Sequence, residues 1–353
     1  MAISRDTLRG YVLEELLAKL IQNTGYRLLA DASQDPGVLE DRPNGLAVRG
    51  RGGLHQVDVL GELLWIPAFT FPIRLFVEAK ARGRKCGIDD VRNALGVVSD
   101  VNQHVERTPG ARRALVPRFT YRYALFSTSG FSAPAAEYAL AHQISLVDLS
   151  AVEFRDIVRL ADDITDTFYA DRAGPSRARR FVSQLRACLR IALGTWPDGV
   201  PLPANGIGAA WNDVEGILRE RIGPMGELFV GMANGPYLLL LRAGNPMLVI
   251  EALDSDPVQQ VSIHWSPSVA NGQRWTVTLD ERPGQPELTF ALPAAVAEWI
   301  FDPDTDSRRR AVQFKRQFLS TITIYRHVGG RDRLYRLQYS PDEAAESLSR
   351  ARG

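Results

Sequence analysis

The chain reads GRGGLHQVDVLGELLWIPAFTFPIRLFVEAK over residues 50–80, and this stretch decides the expected fold. Asp58 stands in one apolar, strand-like run, and Glu78 and Lys80 end a second run that starts at Leu75. Successive side chains of a strand point to opposite faces, so Glu78 and Lys80 share a face. If the two strands are neighbours, Asp58 joins them at one end of a sheet. Two carboxylates and an ammonium group in that place suit a divalent cation beside a phosphate.

Length and composition indicate an ordinary globular protein with room for two domains. The chain has 353 residues, 45% of them hydrophobic and 24% charged, and a formal net charge of +1. No apolar run is long enough for a membrane span, and the first residues lack the apolar core of a signal peptide. The two cysteines, Cys86 and Cys188, form no disulfide framework or metal-knuckle spacing. We therefore expect a cytoplasmic protein that does not enter a membrane.

Charge is distributed unevenly along this nearly neutral chain. The segment from Arg42 to Arg122 holds 14 basic and 7 acidic residues, and the segment from Arg172 to Arg190 holds six arginines and no acidic residue. Such basic segments are typical of a surface that binds a polyphosphate backbone, although a solvated face with scattered counter-charges has the same composition. Only four of the 42 basic residues are lysines, and Lys80 is one of them.

The hydrophobic pattern of the first half predicts an α/β fold whose sheet is covered by helices on both faces. We expect a loop over residues 36–44. The predicted helices and strands follow the order helix 5–23, strands 26–29, 46–48, 56–64 and 73–79, helix 88–105, strand 123–126, helix 133–142, strand 144–148 and helix 151–160.

Five pieces of residues 8–150 together resemble the Mrr-type restriction endonucleases of the PD-(D/E)xK nuclease superfamily. The pieces are LEELLAKLIQNTGY, GRGGLHQVDVLG, FVEAK, IDDVRNALGVV and YALFSTSGFSAPAAEYALAHQISLVDLS. The resemblance implies a restriction-endonuclease-like core, in which helices flank a central mixed sheet. Two departures stand out: many Mrr-type domains carry glutamine where this chain has Glu78, and the segment LWIPAFTFP lengthens the connection from Asp58 to Glu78.

The resemblance also implies a site. Asp58, Glu78 and the carbonyl of Ala79 would hold Mg²⁺, with Mn²⁺ as a possible substitute, and the cation would activate a water molecule beside the scissile phosphate. Lys80 would be the catalytic lysine that orients this water and stabilises the transition state. Glu14, on the first helix, would support the metal site from outside the ligand shell.

Residues near this site are candidates for contacts with the nucleic-acid backbone. Gln56 lies two residues before Asp58, and on a continuous strand it would face the same side. Arg82, Arg84 and Lys85 follow Lys80 directly and could contact phosphates, or form a basic loop that contacts nothing. Arg49, just before the glycine-rich turn, and Arg51, within it, complete the set.

The second half predicts a largely antiparallel α+β domain that resembles no family. We divide the chain into a nuclease domain at residues 1–165, a linker at 166–176 and a second domain at 177–353. An arginine-rich helix at 176–193 opens this domain. Trp265, Trp275 and Tyr237 are either a base-stacking surface or core residues. Further expected elements are strands at 228–230, 237–241, 247–253, 260–265, 275–279, 288–292, 321–325 and 334–339 and helices at 294–301 and 307–318.

The leading functional hypothesis is a metal-dependent endonuclease that cuts double-stranded DNA in prokaryotic defence against foreign DNA. The alternatives are a DNA-repair or RNA nuclease, and a nuclease-like subunit that acts only within a protein complex. The second domain would recognise a sequence, a modification or a signal, or would mediate a homodimer or bind a partner protein.

Overall fold

A computed structural model describes most of the chain. It covers residues 3–43, 45–65, 70–104, 119–151, 154–170, 178–201, 210–221, 228–234, 238–268, 272–279, 285–292, 296–297, 300, 307–328 and 331–339.

The described chain is a mixed α/β protein with three sheets. Its helices are α1 Arg5–Asn23, α2 Ile88–Asn102, α3 Ala133–Ala141, α4 Arg155–Ala170, α5 Ala178–Leu193, α6 Ala210–Arg221, α7 Pro246–Ser255 and α8 Ser307–Phe318, with a short 3₁₀ helix at Ala32–Gln34. Its strands are β1 Tyr26–Leu29, β2 Leu39–Arg42, β3 Gly45–Arg49, β4 Leu54–Gln56, β5 Val59–Leu63, β6 Ile73–Lys80, β7 Thr120–Ser127, β8 Ser145–Asp148, β9 Leu228–Ala233, β10 Leu238–Ala243, β11 Val258–Gln260, β12 Ser262–Ser268, β13 Gly272–Thr278, β14 Glu287–Phe290, β15 Thr321–Val328 and β16 Arg331–Gln338.

The first half is built on a five-stranded mixed sheet in the order β1-β5-β6-β7-β8. Strands β1, β5 and β6 pair antiparallel, and β6, β7 and β8 pair parallel. The parallel connections run through α2 and α3, because parallel neighbours need a crossover rather than a hairpin. A separate three-stranded antiparallel sheet, β2-β3-β4, packs beside it.

The second half is built on an eight-stranded sheet in the order β11-β16-β15-β9-β10-β14-β13-β12. Its strand pairs are antiparallel except for β11 with β16. The prediction of a largely antiparallel α+β arrangement is therefore confirmed for this half.

Three apolar clusters form the core. One lies between the five-stranded sheet and α2 and α3, and another covers one face of the eight-stranded sheet. The third spans both halves, since it unites α1 and α4 with α5, α6 and side chains of β9 and β10. Leu185 and Leu189 of α5 are fully buried in it. The two halves thus pack on a shared core.

Several predicted elements are corrected by the structure. Residues 247–253 belong to helix α7 and not to a strand, because Asn245 accepts hydrogen bonds from the Met247 and Leu248 N–H groups and Pro246 occupies the first helical position. A continuous apolar run cannot distinguish a buried strand from a buried helix. Residues 39–42, expected in a loop, form β2.

The predicted linker at 166–176 is wrong at its start. Helix α4 continues to Ala170, with Ile164 and Phe168 fully buried, so residues 166–170 are helical. Residues 171–176, the rest of that segment, lie outside the described part of the chain.

Of the three aromatic residues considered for base stacking, Trp275 is fully buried in the core of the second half. Trp265 is partly buried against the same cluster. Tyr237 lies outside the described residues, as does most of the helix predicted at 294–301. Core packing therefore accounts for the two described residues.

None of the described helices combines the length and the apolar character that crossing a membrane requires.

Candidate functional site

The candidate site lies where β6 ends and β5 begins. These strands are antiparallel, with Val59 opposite Val77, so one further step of the same register puts Asp58 opposite Glu78. Asp58 Oδ2 accepts a hydrogen bond of 2.8 Å from the Ala79 N–H. The backbone of β6 thus holds the Asp58 carboxylate at the strand end, as the sequence predicts.

Glu78 and Lys80 lie on one face of β6 and form an ion pair. Their side chains are 17% and 26% exposed, so the pair faces a partly solvated surface. The Tyr123 hydroxyl of the neighbouring strand β7 donates a hydrogen bond of 2.5 Å to Glu78 Oε2. Stacking of Phe76 on Tyr123, with ring centroids 5.0 Å apart, fixes the position of this phenol.

Burial and mutual repulsion shift the ionisation of this group. Burial raises the pKa of Asp58, and the charge of Glu78 adds to the rise, while the Ala79 N–H and Lys80 oppose it. Burial also raises the pKa of Tyr123, and Glu78 beside it acts in the same direction. Tyr123 is therefore a hydrogen-bond donor at neutral pH.

Glu14 reaches the site from α1. Its Oε2 lies 2.7 Å from Nη1 of Arg186, a residue of α5. The pKa of Glu14 is raised to about 8, chiefly by burial; Arg186 opposes the rise, and the carboxylates of Asp58 and Glu15 add to it. An ion pair normally lowers the pKa of an acid. Arg186 also pairs with Glu15, however, and its effect on the pKa of Glu14 is smaller than that of burial.

Glu15, the next residue of α1, joins two arginines of α5. Its Oε1 lies 2.7 Å from Arg186 Nε, and its Oε2 lies 2.9 Å from Arg190 Nε. Although burial would raise the pKa of Glu15, the charges of Arg190 and Arg186 hold it below its ordinary value. Glu15 is thus a buried anion whose two oxygens are both used to orient guanidinium groups.

The predicted phosphate contacts that follow Lys80 differ in their surroundings. Arg82 forms an ion pair with Asp90 in the first turn of α2, which holds it against the protein. Its carbonyl accepts hydrogen bonds from Thr128 and Ser129. Arg84 and Lys85 are exposed, so they are the more accessible cations of this loop.

The other three predicted contacts lie on strands β3 and β4 and on the turn between them. Arg49 pairs with Glu40 at 2.7 Å, and Arg51 Nη1 donates a hydrogen bond of 3.3 Å to Gln103. Gln56 is exposed at the end of β4. The predicted strand over 56–64 is interrupted at residues 57–58, so Gln56 ends a strand of one sheet and Asp58 lies in the break before a strand of another. The same-face argument for Gln56 is therefore wrong.

The donor set fits a hard divalent cation. Asp58, Glu78 and the Ala79 carbonyl offer only oxygen, and Mg²⁺ is usually bound by one or two carboxylates and several waters. Within the described residues, no three His, Cys, Asp or Glu side chains form a ready-made metal cluster, so water would complete the shell. Repulsion between Asp58 and Glu78 is an unfavourable interaction that a bound cation would relieve.

Sequence reasoning missed four residues around the site: Tyr123, Glu15, Arg186 and Arg190. The arginines carried a signal, since they stand four residues apart in a helix without acids and so share one face. Their proximity to α1 could not be anticipated, because the contact joins residues more than 170 positions apart.

Comparison of the chain with protein families, with curated proteins and with solved structures gives no match.

Proposed function

We propose that this protein is a metal-dependent nuclease of the PD-(D/E)xK type, related to the Mrr-type restriction endonucleases, that hydrolyses phosphodiester bonds of DNA. The observation that carries the proposal is the joint placement of Asp58, Glu78 and Lys80. The Asp58 carboxylate is bonded to the backbone between Glu78 and Lys80, and the latter two form an ion pair on one face.

The topology supports this reading. The five-stranded sheet contains three antiparallel strands, which follow helix α1, and two parallel strands. Helices α2 and α3 precede the two parallel strands. This agrees with the central mixed sheet between helices that the family resemblance implies.

Each residue has a chemical role in the proposed reaction. Asp58, Glu78 and the Ala79 carbonyl would hold Mg²⁺ or Mn²⁺, which supplies the charge that activates water and neutralises the phosphate. Tyr123 orients Glu78 by donating to Oε2. Lys80 exchanges its bond with Glu78 for one with the attacking water or a phosphate oxygen, and its compact ammonium group stabilises the negative charge of the transition state.

Basic residues around the site favour a nucleic-acid substrate. Arg84 and Lys85 are exposed in the loop that follows Lys80, and Arg51 is exposed on the glycine-rich turn. Such cations contact phosphates irrespective of base sequence. Defence against foreign DNA is the biological role that the resemblance favours.

The test is cleavage of supercoiled and linear plasmid DNA with Mg²⁺ or Mn²⁺ by the wild type, Asp58→Ala and Lys80→Ala. Asp89→Ala is the matched control, because Asp89 is exposed at the start of α2, where it pairs with Arg92. We expect metal-dependent cutting that both site variants lose and the control retains. Retained cutting in Asp58→Ala would refute the proposed site.

The same assay separates the alternatives. Cleavage of RNA in preference to DNA would identify an RNA nuclease with the same active site. Absence of cleavage on either substrate, with folded protein, would favour a subunit that acts only within a complex.

A further inference from the structure

A cavity of about 450 Å³ opens between α1, the β2–β3 hairpin and α5. A smaller cavity of about 30 Å³ adjoins it and contains Asp58 in its wall. Arg186 and Arg190 line both, so the larger cavity leads through these two arginines to the candidate site. Of the residues assigned to the proposed reaction, Asp58 lines the smaller cavity, and Glu78, Ala79 and Lys80 line neither of the two.

Glu15 fixes the two arginines in place. Each donates its Nε–H to one oxygen of this buried carboxylate, at 2.7 and 2.9 Å. In a guanidinium group bound through Nε, the two terminal amino groups lie in the same rigid plane and carry further N–H donors. Glu15 therefore orients both guanidinium groups through Nε and leaves their terminal amino groups to other partners.

Donors of both arginines remain available for a ligand. Arg186 uses Nη1 for Glu14 and Nε for Glu15, which leaves Nη2 without a hydrogen bond to any described residue. Arg190 uses only Nε, which leaves both of its terminal amino groups without one. Because guanidinium N–H groups match the oxygens of a phosphate, the expected ligand carries a phosphate group that contacts both amino groups of Arg190 and the remaining one of Arg186.

The rest of the larger cavity suits an aromatic, partly polar group attached to that phosphate. Its wall contains Tyr11 and Trp196, and the Trp196 indole N–H is fixed by a 2.9 Å bond to the Val200 carbonyl. Thr7 and Ser183 add hydroxyl groups. The volume lies within the range of about 300–1,000 Å³ that small-molecule sites occupy.

We propose that this cavity binds one nucleotide, with its phosphate on Arg186 and Arg190 and its base against the wall that contains Tyr11 and Trp196. The assignment of this nucleotide to the substrate strand rests on the proposed nuclease function, whereas the binding itself does not. A free mononucleotide would satisfy the same cavity.

The experiment is calorimetric titration of the full chain in EDTA, so that neither a metal ion nor cleavage contributes. The ligands are 5′-dAMP, deoxyadenosine and a single-stranded deoxyoligonucleotide of about ten residues, a length within the usual range of single-strand site sizes. We expect 5′-dAMP, the oligonucleotide or both to bind, and deoxyadenosine to bind at least tenfold more weakly than its phosphate. Binding of the oligonucleotide alone identifies a strand as the source, and binding of 5′-dAMP alone identifies a free nucleotide.

Three variants locate the binding. Arg190→Gln keeps a partner for Glu15 but removes the fork, and we expect a loss of affinity of tenfold or more. Ser183→Trp fills the cavity from an exposed position on α5 and leaves the ion pairs intact, so it should abolish binding even if Arg190→Gln fails to fold. Arg333→Gln, which removes an arginine paired with Asp254 in the second half, should bind as the wild type does.

Two results would overturn the proposal: no binding of either phosphorylated ligand by the wild type, or unchanged affinity in folded Ser183→Trp. Cleavage with metal is measured separately, so loss of the nucleotide site and loss of the nuclease function are distinguishable. A chain that cuts DNA but binds no nucleotide in EDTA refutes this inference alone, and one that binds but never cuts refutes the proposed function alone.

Discussion

The two large sheets are similar in apolar packing and differ in what else they bury. Among the described residues, the buried charged side chains are Glu14, Glu15 and Arg74, and all three belong to the five-stranded sheet or to α1 beside it. The buried polar side chains of the eight-stranded sheet, Gln259 and Ser262, are neutral.

The difference indicates where function resides. Burying a charge costs free energy unless partners compensate it, so a fold keeps buried charges chiefly where they are used or tightly paired. Arg74 is satisfied by Asp35, Glu62 and Tyr121, which identifies it as structural. Asp58 and Glu14 both carry raised pKa values, to which repulsion from neighbouring carboxylates contributes, as expected of the proposed metal site.

The largest expected effect contrasts one aspartate of each half. Asp58→Asn should reduce DNA cleavage by roughly 10²–10³-fold or more, by analogy with removal of one electrostatic catalytic group. Its free energy of unfolding should stay equal or rise, because burial disfavours the charged form of Asp58. Asp254→Asn should leave cleavage unchanged and lower stability by about 0.5–1.5 kcal/mol, since Asp254 accepts a hydrogen bond from buried Tyr335. Plasmid cleavage measures activity and urea denaturation measures the free energy of unfolding of each variant. Equal loss of cleavage in the two variants would contradict the expected difference between the two halves.

The next effect compares a buried with an exposed ion pair. Glu15→Ala leaves Arg186 and Arg190 without their shared carboxylate, which should cost about 3–5 kcal/mol of unfolding free energy. Arg333→Ala breaks a pair with Asp254 in which the arginine is 43% exposed, and we expect a much smaller cost because solvent screens this pair. Urea denaturation measures the loss of unfolding free energy in each variant. Similar losses would show that the burial of ion pairs does not distinguish the two halves.

A third effect tests the packing of one half on the other. Gly25 has φ +86°, and a Cβ atom there would lie 1.4 Å from the ring of Tyr325, a residue of β15. Gly25→Ala should therefore destabilise the protein by about 2–4 kcal/mol, through strain and displacement of the ring. Gly10→Ala is the matched control, because Gly10 lies within α1 with open space around its Cβ position, and should stabilise by up to about 1 kcal/mol. Thermal unfolding that is equal in both variants would argue against the contact.

The smallest effect concerns the second half. Burial lowers the pKa of Lys315 from 10.5 to about 8. The unfolded chain then binds more protons than the folded one between pH 8 and 10.5, so the stability of the wild type should rise across this window. Lys315→Met removes this contribution. The difference in unfolding free energy between wild type and variant should be flat below pH 8 and increase above it; a difference that is constant up to pH 10.5 would contradict the assignment.

Local pattern was sufficient for much of the first half. The helix at Arg5–Asn23 and the strand through Glu78 and Lys80 follow from periodicities of 3.6 and 2, which depend on neighbours in sequence. Residues 247–253 were predicted wrongly because this mostly apolar run, MLVIEAL, does not distinguish a strand from a helix by its pattern, and the helix begins at the cap supplied by Asn245. The break at residues 57–58 was also not predicted, because it occurs where the chain passes from one sheet to another.

By itself the sequence determined the α/β class, the shared face of Glu78 and Lys80, and the expectation that Asp58 lies near them, because strand geometry fixes which side chains alternate. Only the tertiary structure decided that Tyr123 donates to Glu78 and that α5 brings Arg186 and Arg190 to Glu14 and Glu15. These contacts depend on how distant apolar faces pack on a common core, and packing of that kind leaves no local period in the chain.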